Sequence, residues 1–166
     1  HSNLSFDAYS FGNHTLSPEE AFSFARGKNV LSSGGLQAKL KDSLDFLMVS
    51  DHAEYMGVIR ELVEGNARLL DASFAQRWRR YLEEEDMAAI VREFSGSIER
   101  TLDYTNIIPA QFKTDIWAQV NAAAEKHNKP GEFTALIGYE WTSMIGGRNL
   151  HRNVLLRDGP SITLSH

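Results

Sequence analysis

Apolar residues change their spacing along this chain, and each change marks an element. Residues Leu44 to Val49 are apolar except for Asp45, a continuous run of strand length that predicts a strand covered on both faces. Beyond residue 54 the spacing becomes helical. Ile59, Leu62, Val63, Leu69 and Leu70 recur at helical intervals, as do Phe74, Trp78, Tyr81 and Leu82, then Ile90, Val91, Phe94 and Ile98. Ile107-Ile108-Pro109 breaks the pattern. A further amphipathic helix carries Phe112, Ile116, Trp117, Val120 and Ala124 and ends near Asn128-Lys129-Pro130-Gly131. Phe133–Tyr139 reads as a second strand, and a Gly146-Gly147 turn leads to a third near Asn153–Leu156, the last two forming a hairpin or a bent strand.

Upstream, Ser17-Pro18-Glu19-Glu20 is a helix start, with Ser as N-cap, Pro at the first helical position and acids in the first turn. That helix should stop at Gly27. His1 to His14 has no clean period and reads as an ordered loop; Ser32-Ser33-Gly34-Gly35 reads as another. The fold class is α/β, with a helical insertion over residues 54–130. Two or three strands cannot close a parallel barrel, which needs about eight strand–helix units and roughly 250 residues. Either the sheet is small, or residues 1–166 are a single domain that forms the N-terminal part of a larger barrel, and the latter is expected. The chain opens inside what looks like a ligand loop and stops at Leu164-Ser165-His166 without a closing element.

Composition narrows the function classes. A chain of 166 residues with a formal net charge of −5 lacks the basic field that non-specific nucleic-acid binding requires. An anionic substrate stays open, since metal ions supply positive charge locally. With no cysteine, disulfides, thiolate metal sites and a cysteine nucleophile are excluded. No apolar run reaches transmembrane length, and cytoplasmic, periplasmic and secreted locations all remain open.

The chemistry gathers at strand ends. Ser50-Asp51-His52-Ala53-Glu54 follows the first strand and Gly138-Tyr139-Glu140-Trp141 ends the second. In α/β folds a strand tip fixes the backbone while the next loop exposes side chains. His52 can offer a neutral imidazole nitrogen to a metal, and Asp51 can bind metal, orient a ligand, or simply cap the helix that follows. Glu140 follows a nearly apolar run, where an unpaired carboxylate is costly to bury. A metal would offset that cost, as would an ion pair to Arg148 or Arg152. In Asn149-Leu150-His151-Arg152-Asn153-Val154, strand alternation sends His151 and Asn153 to one face and Arg152 to the other. His1 and Asp7 lie in a Ser/Asn-rich loop. His127, near a helix end where a cation favours the dipole, reads as structural, and His14 and His166 have no supporting context. Trp78 and Trp117 read as core. A Walker-type phosphate loop, a Gly-x-Ser-x-Gly elbow and zincin histidine spacing are all absent.

Taken together, these motifs resemble the PHP (polymerase and histidinol phosphatase) superfamily. His1-Ser2-Asn3-Leu4-Ser5-Phe6-Asp7-Ala8-Tyr9 is similar to the tail of its first motif, His-x-His-[Thr/Ser]-x-x-Ser, with the first His upstream. Ser50-Asp51-His52 resembles the second motif, and Glu140 and His151 fit the bridging carboxylate and the next histidine. The wording Ser-Asp-His-Ala-Glu-Tyr, Gly-Tyr-Glu-Trp-Thr and Asn-Leu-His-Arg-Asn-Val resembles the branch catalogued as domain of unknown function 3604. The resemblance implies part of a distorted seven-stranded (β/α) PHP-type barrel that binds two or three divalent metal ions (Zn, Mn or Fe) and hydrolyses a small anionic ester, most often a phosphoester. It implies His1, Asp7, His52, Glu140 and His151 as metal ligands and Asp51 as ligand, catalytic group or orienting partner. Arg152, as catalytic or substrate-binding residue, and Arg148 would contact the substrate anion. A sulfate or carboxylic ester, or an idle truncated module, are the alternatives. Neither nucleic acid nor membrane is expected as a partner, and oligomeric state is open.

Overall fold

A computed structural model describes residues 1–70, 72–99 and 108–157. It shows a mixed α/β protein of helices and two small sheets, and no barrel closes among the described residues. The motif-rich first segment is not simply a loop: it holds a short helix, α1 (Phe6–Ser10). The helix start at Ser17 is a full capping box. Ser17 accepts from the Glu20 N–H, the Glu20 carboxylate bonds back to the Ser17 N–H, and Pro18 opens α2 (Pro18–Ala25). Gly27, at φ +71°, ends it in the left-handed conformation that a glycine C-cap supplies. The Ser32–Gly35 loop turns between two very short strands, β1 (Val30–Leu31) and β2 (Gln37–Ala38), which sequence spacing does not reveal.

The main sheet has the order β3-β4-β5. β3 (Phe46–Met48) runs parallel to β4 (Thr134–Ser143), and β4 turns back through a 3-10 turn at Ile145–Gly147 into antiparallel β5 (Leu150–Leu156). The apolar run at residues 44–49 predicted cover on both faces, and this is corrected: only three residues pair, and Phe46 is 63% exposed. Leu47 packs inward toward α2 and the helix covering the sheet, so by alternation Phe46 lies on the opposite face. Leu155, opposite Gly138 on that same outer face, is 57% exposed.

The helical stretch resolves into α3 (Val58–Val63), α4 (Ala67–Leu70), α5 (Ser73–Glu83), α6 (Met87–Ile98) and α7 (Ala110–His127). Its break at residues 107–109 falls partly outside the described residues. α7 serves two cores. Phe112, Ile116 and Val120 join Phe74, Trp78, Ile90 and the N-terminal Leu4 and Phe6 in one. Ala123 and Ala124 join Phe22, Val49, Phe133, Ala135 and Ile137 in the other, under the sheet. Trp78 is buried as read from the sequence, and Trp117 packs edge-on to Tyr139 at 5.9 Å, touching both cores. Among the described residues no helix is long and apolar enough to cross a membrane.

His127 is structural, but not as a cation on the helix dipole. Its ring is buried beside Phe22, both ring nitrogens lack hydrogen-bond partners, and burial pushes its pKa below the ordinary value. Glu19 opposes that shift, whereas Arg26 and Lys126 reinforce it. Because the unfolded chain binds this proton more readily, stability falls as pH drops below about 6.5. His127→Phe removes the titration and keeps a ring against Phe22. Denaturant melts should show wild type losing ground to this variant between neutral and mildly acidic pH.

Gly138 is required by close approach rather than by turn geometry. A Cβ there would lie 2.4 Å from the Val154 carbonyl oxygen and 2.2 Å from Met48 Sδ. Met48 can swing away, but the paired backbone of β5 cannot. Gly138→Ala should therefore cost at or above the upper end of the ~1–3 kcal/mol typical of overpacking, read as a fall in denaturation midpoint.

Candidate metal centre

Three chain segments meet at the ends of β3 and β4, and backbone pairing sets their positions. Beyond β3 the chain keeps pairing with β4: the Glu140 N–H donates to Asp51 O at 2.9 Å and the Ala53 N–H to Glu140 O at 2.8 Å. His52 is thereby paired in parallel register with Glu140. On the other side of β4, Thr142 lies opposite His151 and Glu140 opposite Asn153, so these four share a face.

The first residues of the chain are tied onto this frame by Asp51. Its carboxylate, 1% exposed, accepts from the Ser2 backbone N–H and, at 2.5 Å, from the Ser2 hydroxyl. Ser2 Oγ also accepts from the Leu4 N–H, and Leu4 O accepts from the Gly57 N–H at 2.7 Å. Ser5 Oγ donates to Asp7 Oδ1 at 2.6 Å and accepts from the His52 N–H at 3.2 Å. Asp51 is thus an anchor for the first segment. It neither joins the clustered donors nor caps the following helix, whose N-cap is Gly57. Burial raises the Asp51 pKa, against the hydrogen bonds from Ser2.

Two donor groups result, His1/Asp7/His52 and His52/Glu140/His151, each with ligand atoms within 4.8 Å of one another. His1 Nδ1 lies 3.0 Å from both Asp7 oxygens and its Nε2 lies 3.0 Å from Glu140 Oε2. His52 Nε2 is 3.8 Å from Asp7 Oδ2, and His151 Nδ1 is 2.7 Å from Glu140 Oε1. Nitrogen and oxygen donors bound about 2 Å from one ion sit at comparable mutual distances, so the residues present fit a borderline or hard divalent cation.

The electrostatics favour a cation as well. Asp7, Asp51, Glu54 and Glu140 converge on this small volume, and Glu54 Oε2 is buried without a hydrogen-bond partner. The His1 pKa is raised to about 9, chiefly by its hydrogen bond to Asp7 and despite burial. Burial alone would raise the Asp7 pKa, but hydrogen bonds from His1, Ser5 and the Ala8 N–H hold it well below the usual carboxylate range. The His1 proton supplies positive charge that a bound metal would supply instead.

The pairing register separates Arg152 from this cluster. It lies opposite Trp141, on the face away from Glu140 and His151, and its side chain is exposed. Arg148 is exposed on the preceding loop. The Glu140 carboxylate contacts His1, His151 and His52 rather than either arginine, so the alternative of an ion pair to Arg148 or Arg152 does not hold. His14 lies tilted against Tyr9 with ring centroids 4.8 Å apart and is in neither donor group, and His166 lies outside the described residues. Sequence reasoning passed over Ser2, Ser5, Glu54 and Thr142 as site residues. Only Glu54 carried a signal, as a carboxylate two residues beyond His52 at a strand tip.

A family model described as a protein of unknown function (DUF3604) matches residues 1–165. The chain belongs to the DUF3604 family. No curated protein and no solved structure matches it. Within this DUF3604 chain the cluster draws on most of the matched span, from His1 to His151.

Asp51→Ala should loosen the first segment before it disturbs the sheet. It leaves two buried Ser2 donors unpaired, at about 1–3 kcal/mol each. The expected result is a lower melting temperature with faster amide exchange at residues 2–5 than in β4.

Proposed function

We propose that this DUF3604 chain carries the metal-binding part of a PHP-type hydrolase that cleaves a small anionic ester, with a phosphoester as the favoured substrate. The observation that supports this most is the convergence of His1, Asp7, His52, Glu140 and His151 from separate segments onto adjacent donor groups. On this reading the β3-β4-β5 sheet is one section of a distorted (β/α)7 barrel. The apolar side chains on its outer face, Phe46 and Leu155, favour further cover there.

His1, Asp7 and His52 would hold one ion, and Glu140 and His151 a neighbouring one, with the Glu140 carboxylate between His1 and His151. The chemistry supplied by two or three divalent ions (Zn, Mn or Fe) when bound is Lewis acidity and an activated water at neutral pH. The residues themselves do the positioning. Asp51 fixes the first segment through Ser2, Ser5 links Asp7 to the His52 backbone, and β4 carries Glu140 into the middle. Without cations the carboxylates repel an anionic ester, so substrate binding and metal loading should be coupled. The side chains of His151 and Asp7, 42% and 39% exposed, leave both donor groups open to solvent.

Elemental analysis of protein purified with Zn and Mn supplied tests this reading. About two equivalents per chain are expected, lost in both His52→Ala and Glu140→Ala, together with turnover in a panel of phosphoesters, sulfoesters and carboxylic esters. Sub-stoichiometric metal in the folded wild type would sink it.

A further inference from the structure

His52 belongs to both donor groups, yet a neutral imidazole has one lone-pair nitrogen and one N–H. Which group it serves is decided by where its proton sits. Nε2 faces Asp7 Oδ2 at 3.8 Å, while Nδ1 faces Glu140 Oε1 and Glu54 Oε2, each at 3.9 Å. These carboxylates are not equivalent. Asp7 accepts hydrogen bonds from His1, Ser5 and the Ala8 N–H, and Glu140 is engaged by His1 and His151. Glu54 uses Oε1 to accept the Thr142 N–H at 2.9 Å, which leaves Oε2 buried and without a hydrogen bond, 3.9 Å from His52 Nδ1.

A buried carboxylate oxygen without a hydrogen bond favours a proton on the ring nitrogen that faces it. The route for that proton is present. Thr142 Oγ1 lies 2.8 Å from His52 Nδ1, and a hydroxyl has two acceptor lone pairs, so it can accept from His52 even with His151 Nδ1 3.2 Å away. Nε2, on the other edge of the ring, then carries the free lone pair on the side of His1 and Asp7.

We propose that Glu54, acting with the Thr142 hydroxyl, holds the His52 proton on Nδ1 and so commits His52 through Nε2 to the His1/Asp7 position. Glu54 is then a positioning residue, and the Glu140/His151 position has fewer protein donors and is more open to water or substrate oxygens. The metal part of this inference rests on the hydrolase reading above; the tautomer does not.

Imidazole nitrogen NMR on metal-free protein in mildly alkaline buffer reads the tautomer directly, with the His52 signal assigned by its loss in His52→Gln. The expected result is the Nδ1–H form in wild type, shifted toward Nε2–H in Glu54→Gln and unchanged in the surface control Glu132→Gln. Glu54→Gln keeps an oxygen to accept the Thr142 N–H, so the local fold is retained. An Nε2–H form in wild type, or a tautomer indifferent to Glu54→Gln, overturns the proposal. In chelator competition, zinc affinity should fall about 10–100-fold in Glu54→Gln, as when a ligand histidine loses its orienting partner. Unchanged zinc affinity there also overturns it. Should wild type bind no zinc, the hydrolase reading falls, and the NMR result alone decides the role of Glu54.

Discussion

Past the end of β3 the chain does not leave β4 but keeps hydrogen bonding to it on both sides of Glu140, through Asp51 O and the Ala53 N–H. That short extension places His52 beside Glu140 and turns the Asp51 side chain down toward Ser2. Ser2 in turn fixes where His1 and Asp7 sit. His52, Glu140 and His151 are thus located by backbone pairing, and His1 and Asp7 by the Asp51–Ser2 anchor. Pairing of this kind is the rigid support that a site tolerant of little misplacement requires.

Charge is what the pairing leaves unresolved. Several carboxylates are brought close together, and the molecule answers with a proton on His1 and hydrogen bonds from Ser2, Ser5 and backbone amides. The compensation is incomplete at Glu54, whose second oxygen has no hydrogen-bond partner. Neutral residues would have packed this corner at lower cost. That acids and imidazoles occupy it instead is the physical ground for reading the cluster as functional rather than structural.

Much of this was legible in the sequence because strand tips announce themselves. An apolar run followed by Asp-His, and another followed by Glu, placed three of the clustered or anchoring residues, and strand alternation already set His151 apart from Arg152. Other features left no trace. Helix α1 spans only Phe6–Ser10, too short for a period to show, and its Ser5 hydroxyl is engaged with Asp7 and His52 instead of the helix backbone. The exposed face of β3 is invisible to composition, since Phe46 reads the same whether or not anything covers it. β4 runs on to Ser143 because β5 pairs with it, a tertiary fact that the mixed residues 138–143 do not encode. Thr142 looks like any β-branched strand residue, and only its hydrogen bonds give it a role.

His1 and Glu140 touch although 139 positions separate them, and most of that interval is the helical excursion. Closing a loop of that size costs an entropy that grows only logarithmically, roughly 0.6 kcal/mol for each doubling. The donors are therefore nearly indifferent to how long the excursion is, and insertions at its solvent-facing turns are cheap. They are not indifferent to what the excursion packs against. Phe6 stacks on Phe94 at 3.7 Å and meets Trp78 edge-on, one residue before Asp7. Length can drift in this segment, but the aromatic seat beneath Phe6 cannot, because the aspartate rides on it.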